Sequence, residues 1–201
     1  MLPRERVFAA LEHREPDRIP WGEHSIDYNV YEDILGRPTF VQAKMKETRA
    51  LWEGRRDEVV ESYKRDRLDL IRALDMDIVF VGRVPPKDYR PEPYTQMPDG
   101  TYRDAKGRIY HVSATTHDLM PVEMDRGLLP TATVESVQEL IDQVDKEPLP
   151  GPQDSCWELV HHAVREMKAT HFIMLLCGDL EWPRFGWTAL CRVVTWVPAR
   201  R

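Results

Sequence analysis

Asp77-Ile78-Val79-Phe80-Val81 is the stretch on which the reading of this chain turns. Its run of mostly β-forming residues is the signature of a buried strand. Immediately before it, residues 55 to 74 carry Val59, Val60, Tyr63, Leu70, Ile71 and Leu74 at helical spacing, which predicts a long amphipathic helix. The opposite face, with Arg56, Glu58, Glu61, Lys64, Arg65 and Arg67, reads as a solvated surface. A second run, His171-Phe172-Ile173-Met174-Leu175-Leu176, reads as another buried strand and leads to Cys177-Gly178-Asp179. The segment before that run predicts a helix capped by Asp154, with Trp157, Val160, Val164 and Met167 on one face. Helices alternating with isolated apolar strands are the pattern of a parallel α/β fold.

Working outward, Pro3 suits the first turn of a helix that carries Val7, Ala10 and Leu11 and runs to about His13. Glu15-Pro16-Asp17 stops it, and Arg18-Ile19-Pro20-Trp21-Gly22 predicts a short strand ending in a loop. Tyr28 to Leu35 reads as a helix closed by Gly36, a residue that accepts positive φ. Tyr102-Arg103-Asp104 and Arg108-Ile109-Tyr110-His111-Val112 flank Ala105-Lys106-Gly107, which predicts a peripheral hairpin. Thr133 is a candidate cap for a helix carrying Val134, Val137, Leu140, Ile141 and Val144. Seven of the 16 prolines cluster in residues 85–93 and 148–152, which read as extended connectors.

Among its 201 residues, 34 are acidic and 28 basic, a net charge of −6 that argues against a nucleic-acid binder. No apolar stretch is long enough to span a bilayer, and the start has no apolar signal core. Three cysteines, Cys156, Cys177 and Cys191, without a C-x-x-C pair suit a reducing cytoplasm. The expectation is therefore a cytoplasmic protein with neither nucleic-acid nor membrane partners. There is no glycine-rich phosphate loop, H-E-x-x-H or G-x-S-x-G.

Pro3-Arg4-Glu5-Arg6-Val7, Ala9-Ala10-Leu11, His13 and Glu15-Pro16-Asp17-Arg18-Ile19-Pro20 together resemble the opening of the uroporphyrinogen decarboxylase superfamily, nearest its cobamide-dependent methyltransferase branch. Leu74 to Val79 and the hairpin from Arg103 to Tyr110 are similar to it as well, so the likeness spans about residues 2 to 187. It implies a TIM-type (β/α)8 barrel, of which this chain would be the N-terminal half, with N-terminal helices and a peripheral β-hairpin. A complete barrel takes about 250 residues. Family members decarboxylate the acetate arms of a tetrapyrrole, or move methyl groups between a corrinoid protein and a thiol. The implied partners are thus a tetrapyrrole or other small molecule and a corrinoid protein; a homo-oligomer is the further expectation. A zinc ion belongs to the family's C-terminal half; no cofactor is evident in the residues themselves. The likeness ends after Trp187, and residues 188–201 read as the tail of a truncated or frame-shifted product. The alternative to an enzyme is an inert half-barrel that self-associates.

The chain departs from the family where the chemistry lies. The decarboxylases carry Arg-Gln-Ala-Gly-Arg after the first strand, where this chain has Trp21-Gly22-Glu23-His24-Ser25. Their catalytic aspartate follows the second strand in a Phe-Ser-Asp context, where Phe80 is here followed by Val81-Gly82-Arg83. Barrel enzymes place their chemistry at the C-terminal ends of strands. The candidate catalytic residues are therefore Glu23 and His24, for proton transfer or charge stabilisation, and Asp179 at the end of the second strong strand. Trp21 and Arg83 are the candidate substrate contacts, Arg83 because a guanidinium matches a carboxylate. Tyr89, Tyr94 and Tyr102 with Trp182 and Trp187 could stack on a flat macrocycle, or pack a loop-rich cap. His161 shares a face with Trp157 and Val164 and reads as a packed core histidine.

Overall fold

The computed structural model describes residues 1–122, 138, 139, 142 and 150–176. Met1–Val122 and Pro152–Cys177 form one compact unit; Glu123–Gly151 and Gly178–Arg201 form a second. In the second unit Gln138 Nε2 donates to Asp142 Oδ1 at 2.8 Å, an i,i+4 pair. The helix expected from Thr133 lies almost wholly outside the described residues.

The first unit is mixed α/β, with five α-helices and two small sheets among the described residues. The helices are α1 Pro3–Leu11, α2 Tyr28–Leu35, α3 Lys44–Trp52, α4 Arg56–Ala73 and α5 Glu158–Met167. The strands are β1 Ile78–Gly82, β2 Thr95–Gln96, β3 Tyr102–Arg103, β4 Ile109–Val112, β5 Leu119–Pro121 and β6 Phe172–Leu176. β1 and β6 pair in parallel, from Ile78 opposite Phe172 to Gly82 opposite Leu176. β2 to β5 form an antiparallel sheet in chain order, so the expected hairpin is the centre of a four-stranded meander. No closed barrel is present among the described residues. No helix among them is long and apolar enough to cross a membrane.

The core lies on one face of the β1–β6 pair. Val79 and Val81 point into it and meet Val60, Leu68 and Ile71 of α4 and Leu159, Ala163 and Met167 of α5. Alternation along β1 turns Ile78, Phe80 and Gly82 to the opposite face, where they are only partly covered. Phe172, on that face of β6, takes the ring of Phe8 from α1 edge-on at 5.5 Å.

Local chemistry sets the boundaries. Pro3 occupies the first helical position of α1, and Glu5 Oε2 accepts the Leu2 N–H at 2.8 Å. α1 ends at Leu11 rather than His13, because His13 takes a left-handed φ of 57°. Gly36 closes α2 with φ 65°, as its position predicts. In the turn between β3 and β4, Gly107 has φ 80° and Asp104 Oδ1 accepts the N–H groups of Lys106 and Arg108, each at 2.9 Å.

Four expectations need correction. Residues 18–22 form no strand: Trp21 O does accept the Asp77 and Ile78 N–H groups (2.8 and 3.3 Å), but Pro20 has none to give and Trp21 N–H goes to the Asp77 carboxylate. α3 was not expected at all. The polar face of α4 is not wholly solvated, since Arg56 is buried and donates to Pro85 O at 2.7 Å, and Lys64 reaches Glu158 of α5 at 3.1 Å. On α5 the buried stripe is Leu159, Ala163 and Met167, which leaves His161 exposed rather than packed.

Candidate functional site

The two ends of β1 differ in how their charges are met. At its N-terminal end Asp77 is completely buried and holds three donors. Arg6 Nη1 reaches Oδ1 at 2.9 Å, Arg18 Nη1 reaches Oδ2 at 2.6 Å, and Trp21 N–H reaches Oδ2 at 3.0 Å. Arg6 also holds Asp17, through Nε at 2.6 Å and Nη2 at 3.1 Å. Pairing with Arg6 pulls the Asp17 carboxyl well below the usual range, helped by the N-terminal ammonium. Arg18 also donates to the Asp75 carboxylate at 3.0 Å, and the Trp21 indole donates to Asp75 O at 3.1 Å. Each of these charges has a partner, so this end clamps α1 and the following loop to β1. Trp21, a candidate substrate contact, is held in the clamp by both its backbone and its indole.

From there the chain runs alongside β1. A Cβ at Gly22 would stand 2.8 Å from Ile78 Cβ and 3.2 Å from Phe80 Cε2, so only glycine allows this approach. The segment thus delivers Glu23 and His24 toward the C-terminal end of the strand, where the His24 ring packs 5.6 Å from that of Phe80. Both side chains are about half exposed. Glu23 Oε1 accepts the N–H groups of Ser25 (3.0 Å) and His24 (2.7 Å) and stands 3.4 Å from His24 Nδ1. Those two backbone donors, Ser25 first, lower the Glu23 pKa and keep it an anion. It therefore suits charge stabilisation or orientation of His24, not proton donation. Arg83 follows β1 directly, is exposed, and forms no ion pair with the described residues. Asp179 lies outside the described residues.

A half-buried cation missed by the sequence reading sits beside the same strand. Arg67 of α4 donates to Phe80 O through Nη1 at 3.4 Å and lies over the Tyr63 ring at 5.7 Å. Tyr63 O–H donates to Glu47 of α3. Burial raises the Tyr63 pKa strongly, and the Glu47 carboxylate reinforces that; burial also raises Glu47. The sequence did hold a signal: Arg67 falls at helical spacing within the apolar stripe Val60, Tyr63, Ile71 and Leu74.

The aromatic residues on the meander pack together. Trp52 of α3 meets Tyr94 at 5.2 Å and Tyr102 at 6.0 Å, and Tyr94 meets Tyr110 at 5.0 Å. Tyr89 is exposed, and Trp182 and Trp187 lie outside the described residues. No group of three or more His, Cys, Asp or Glu residues among the described residues could hold a metal ion.

Compared with family models, curated proteins and solved structures, the chain matches none.

Proposed function

We propose that the first unit is part of a uroporphyrinogen decarboxylase-like (β/α)8 barrel whose chemistry takes place at the C-terminal end of β1, on a tetrapyrrole carrying carboxylate arms. The observation that carries this reading is the parallel arrangement around β1. β6 pairs along one edge, the Trp21 carbonyl takes the N–H groups of Asp77 and of Ile78, the first residue of β1, and α4 and α5 cover one face. Parallel strands with helices against one face are what a barrel wall requires, and that supports this reading; in such a barrel the functional loops would follow the carboxyl ends of the strands.

In this reading Arg83 holds a carboxylate arm and His24 protonates a pyrrole ring carbon. The cation so formed lies beside ionised Glu23, an electrostatic role that its two backbone donors prepare. The bond from the acetate methylene to its carboxylate then breaks, its electron pair moves into the cationic ring, and carbon dioxide leaves. Protonation of the exocyclic carbon and loss of the added ring proton yield a methyl group and restore the pyrrole. Methyl transfer from a corrinoid protein is the other chemistry of this reading.

The test is turnover of uroporphyrinogen, followed by chromatography of the oxidised products. Glu23→Gln is expected to lower kcat/KM about a hundredfold, the usual scale for removing one preorganised charge. Absence of both turnover and uroporphyrin binding in the unaltered protein overturns the decarboxylase reading. Met174, Leu175 and Leu176 of β6 are 37%, 43% and 36% exposed, which favours a second, non-catalytic reading in which copies associate. Sedimentation showing a monomer would eliminate it.

A further inference from the structure

Most arginines that the fold withdraws from solvent are paired with carboxylates; Arg67 is not, and unlike half-buried Arg4, whose Nη1 donates to Lys168 O at 2.9 Å, it also leaves a sealed nitrogen without an acceptor. Arg6 is paired with Asp17 and Asp77, Arg37 with Asp66 and Asp69, and Arg56 with Asp57 and Glu158. Arg67 has no carboxylate within ion-pair distance among the described residues. Its Nε is sealed from solvent with no acceptor, Nη1 has only the long contact to Phe80 O, and Nη2 donates to no described group. The Tyr63 ring gives it a cation–π contact. Glu47 feels its field but is engaged by the Tyr63 hydroxyl. A guanidinium held this way is costly unless something else supplies the negative charge.

We infer that Arg67 is an anion-binding group that receives a carboxylate of the small molecule bound at the C-terminal end of β1. The position of that molecule rests on the reading proposed above; the unmet charge of Arg67 does not. The link between the two is Phe80, whose carbonyl takes Nη1 and whose ring packs against His24. Nε is closed to solvent, so the oxygens of a carboxylate would meet Nη2 and the second hydrogen of Nη1, the outer edge of the planar guanidinium. A single guanidinium balances a single negative charge, which favours a carboxylate over a phosphate dianion.

The experiment compares the unaltered protein with Arg67→Gln, Arg67→Lys and, as a charge control, Arg103→Gln. Thermal melting is followed with saturating succinate or inorganic phosphate, and uroporphyrin binding by tryptophan quenching. Succinate is expected to raise the Tm of the unaltered protein and of Arg103→Gln but not of Arg67→Gln. Uroporphyrin should bind Arg67→Gln at least about tenfold more weakly, the scale of one lost charge-assisted contact. Arg67→Lys keeps the charge without the fork and should fall between the two; it decides the outcome if Arg67→Gln does not fold. An equal succinate shift in Arg67→Gln, or none in the unaltered protein, overturns the inference. A shift with phosphate but not succinate overturns the carboxylate assignment. A succinate shift that needs Arg67, in a protein that ignores uroporphyrin, leaves Arg67 an anion site and removes the tetrapyrrole reading.

Discussion

The N-terminal end of β1 is electrostatically closed and its C-terminal end is open. At the first, Asp77 is completely buried and satisfied by Arg6, Arg18 and a backbone N–H. At the second, neither Arg83 nor Arg67 has an ion pair with the described residues, and Glu23 and His24 are half exposed. The opening motif that resembles a known family is largely used up at the closed end, where Arg6, Asp17 and Arg18 act as structural clamps. Its matching residues therefore speak to how the fold is held, and the departures, Glu23, His24 and Arg83, lie at the end where we propose that the chemistry takes place.

Breaking the closed end should have the largest effect. Asp77→Asn leaves Arg6 and Arg18 facing a neutral group in a buried site, and should cost about 3–5 kcal/mol in urea unfolding. A cost below about 1 kcal/mol would mean that the clamp is ornamental.

A second buried carboxylate gives the next effect, through pH. Burial pushes Asp66 upward, but donors from Arg65, Ser62, Arg37 and Thr39 outweigh it and bring its pKa from 3.8 down to about 2. A carboxylate depressed in the folded state contributes its stability above its unfolded pKa. That contribution is lost as pH falls from about 4 through about 2, and amounts to about 2 kcal/mol. Stability measured across that range should fall in the unaltered protein and fall less steeply in Asp66→Asn.

Between the two ends stands Gly22. Gly22→Ala forces a Cβ to within 2.8 Å of Ile78 Cβ, and should cost about 1–2 kcal/mol while displacing His24 from Phe80. A crystal structure of the variant with the His24 and Phe80 rings still packed would show that the approach is not what delivers the loop. The smallest stability effect belongs to the open end. Arg83→Gln should change stability by less than about 0.5 kcal/mol, yet weaken uroporphyrin binding. Equal binding would remove Arg83 from the site.

The parts of this arrangement visible in the sequence are those fixed by neighbours in the chain. Pro3 starts α1, Gly36 ends α2, Gly107 turns β3 into β4, and the apolar run from Ile78 makes β1. Arg83 could be placed after β1 because a strand end can be located from such a run, whereas Glu23 and His24 were expected at the end of a strand over residues 18–22 that does not form, and they reach β1 through the close approach of Gly22 instead. What escaped depends on distant partners. Asp77 meets Arg6 across 71 residues and Arg18 across 59. Arg56 is buried because Glu158, 102 residues on, reaches it from α5. α3 is short and mostly polar, and its entry needs left-handed φ at Gln42 and Lys44, which local propensity disfavours. His117 O accepts the Met45 N–H there, a contact that no local pattern announces.

The parallel pairing of β1 with β6 also constrains the order in which the chain folds. Closing a loop of roughly 90 residues costs about 4 kcal/mol of chain entropy before any β1–β6 contact forms. The β2–β5 meander pairs neighbours through short turns and carries no such barrier. Pulse-labelled hydrogen exchange during refolding should therefore protect amides of β3 and β4 before those of β1 and β6. The core strands would then be the last part of the unit to become native.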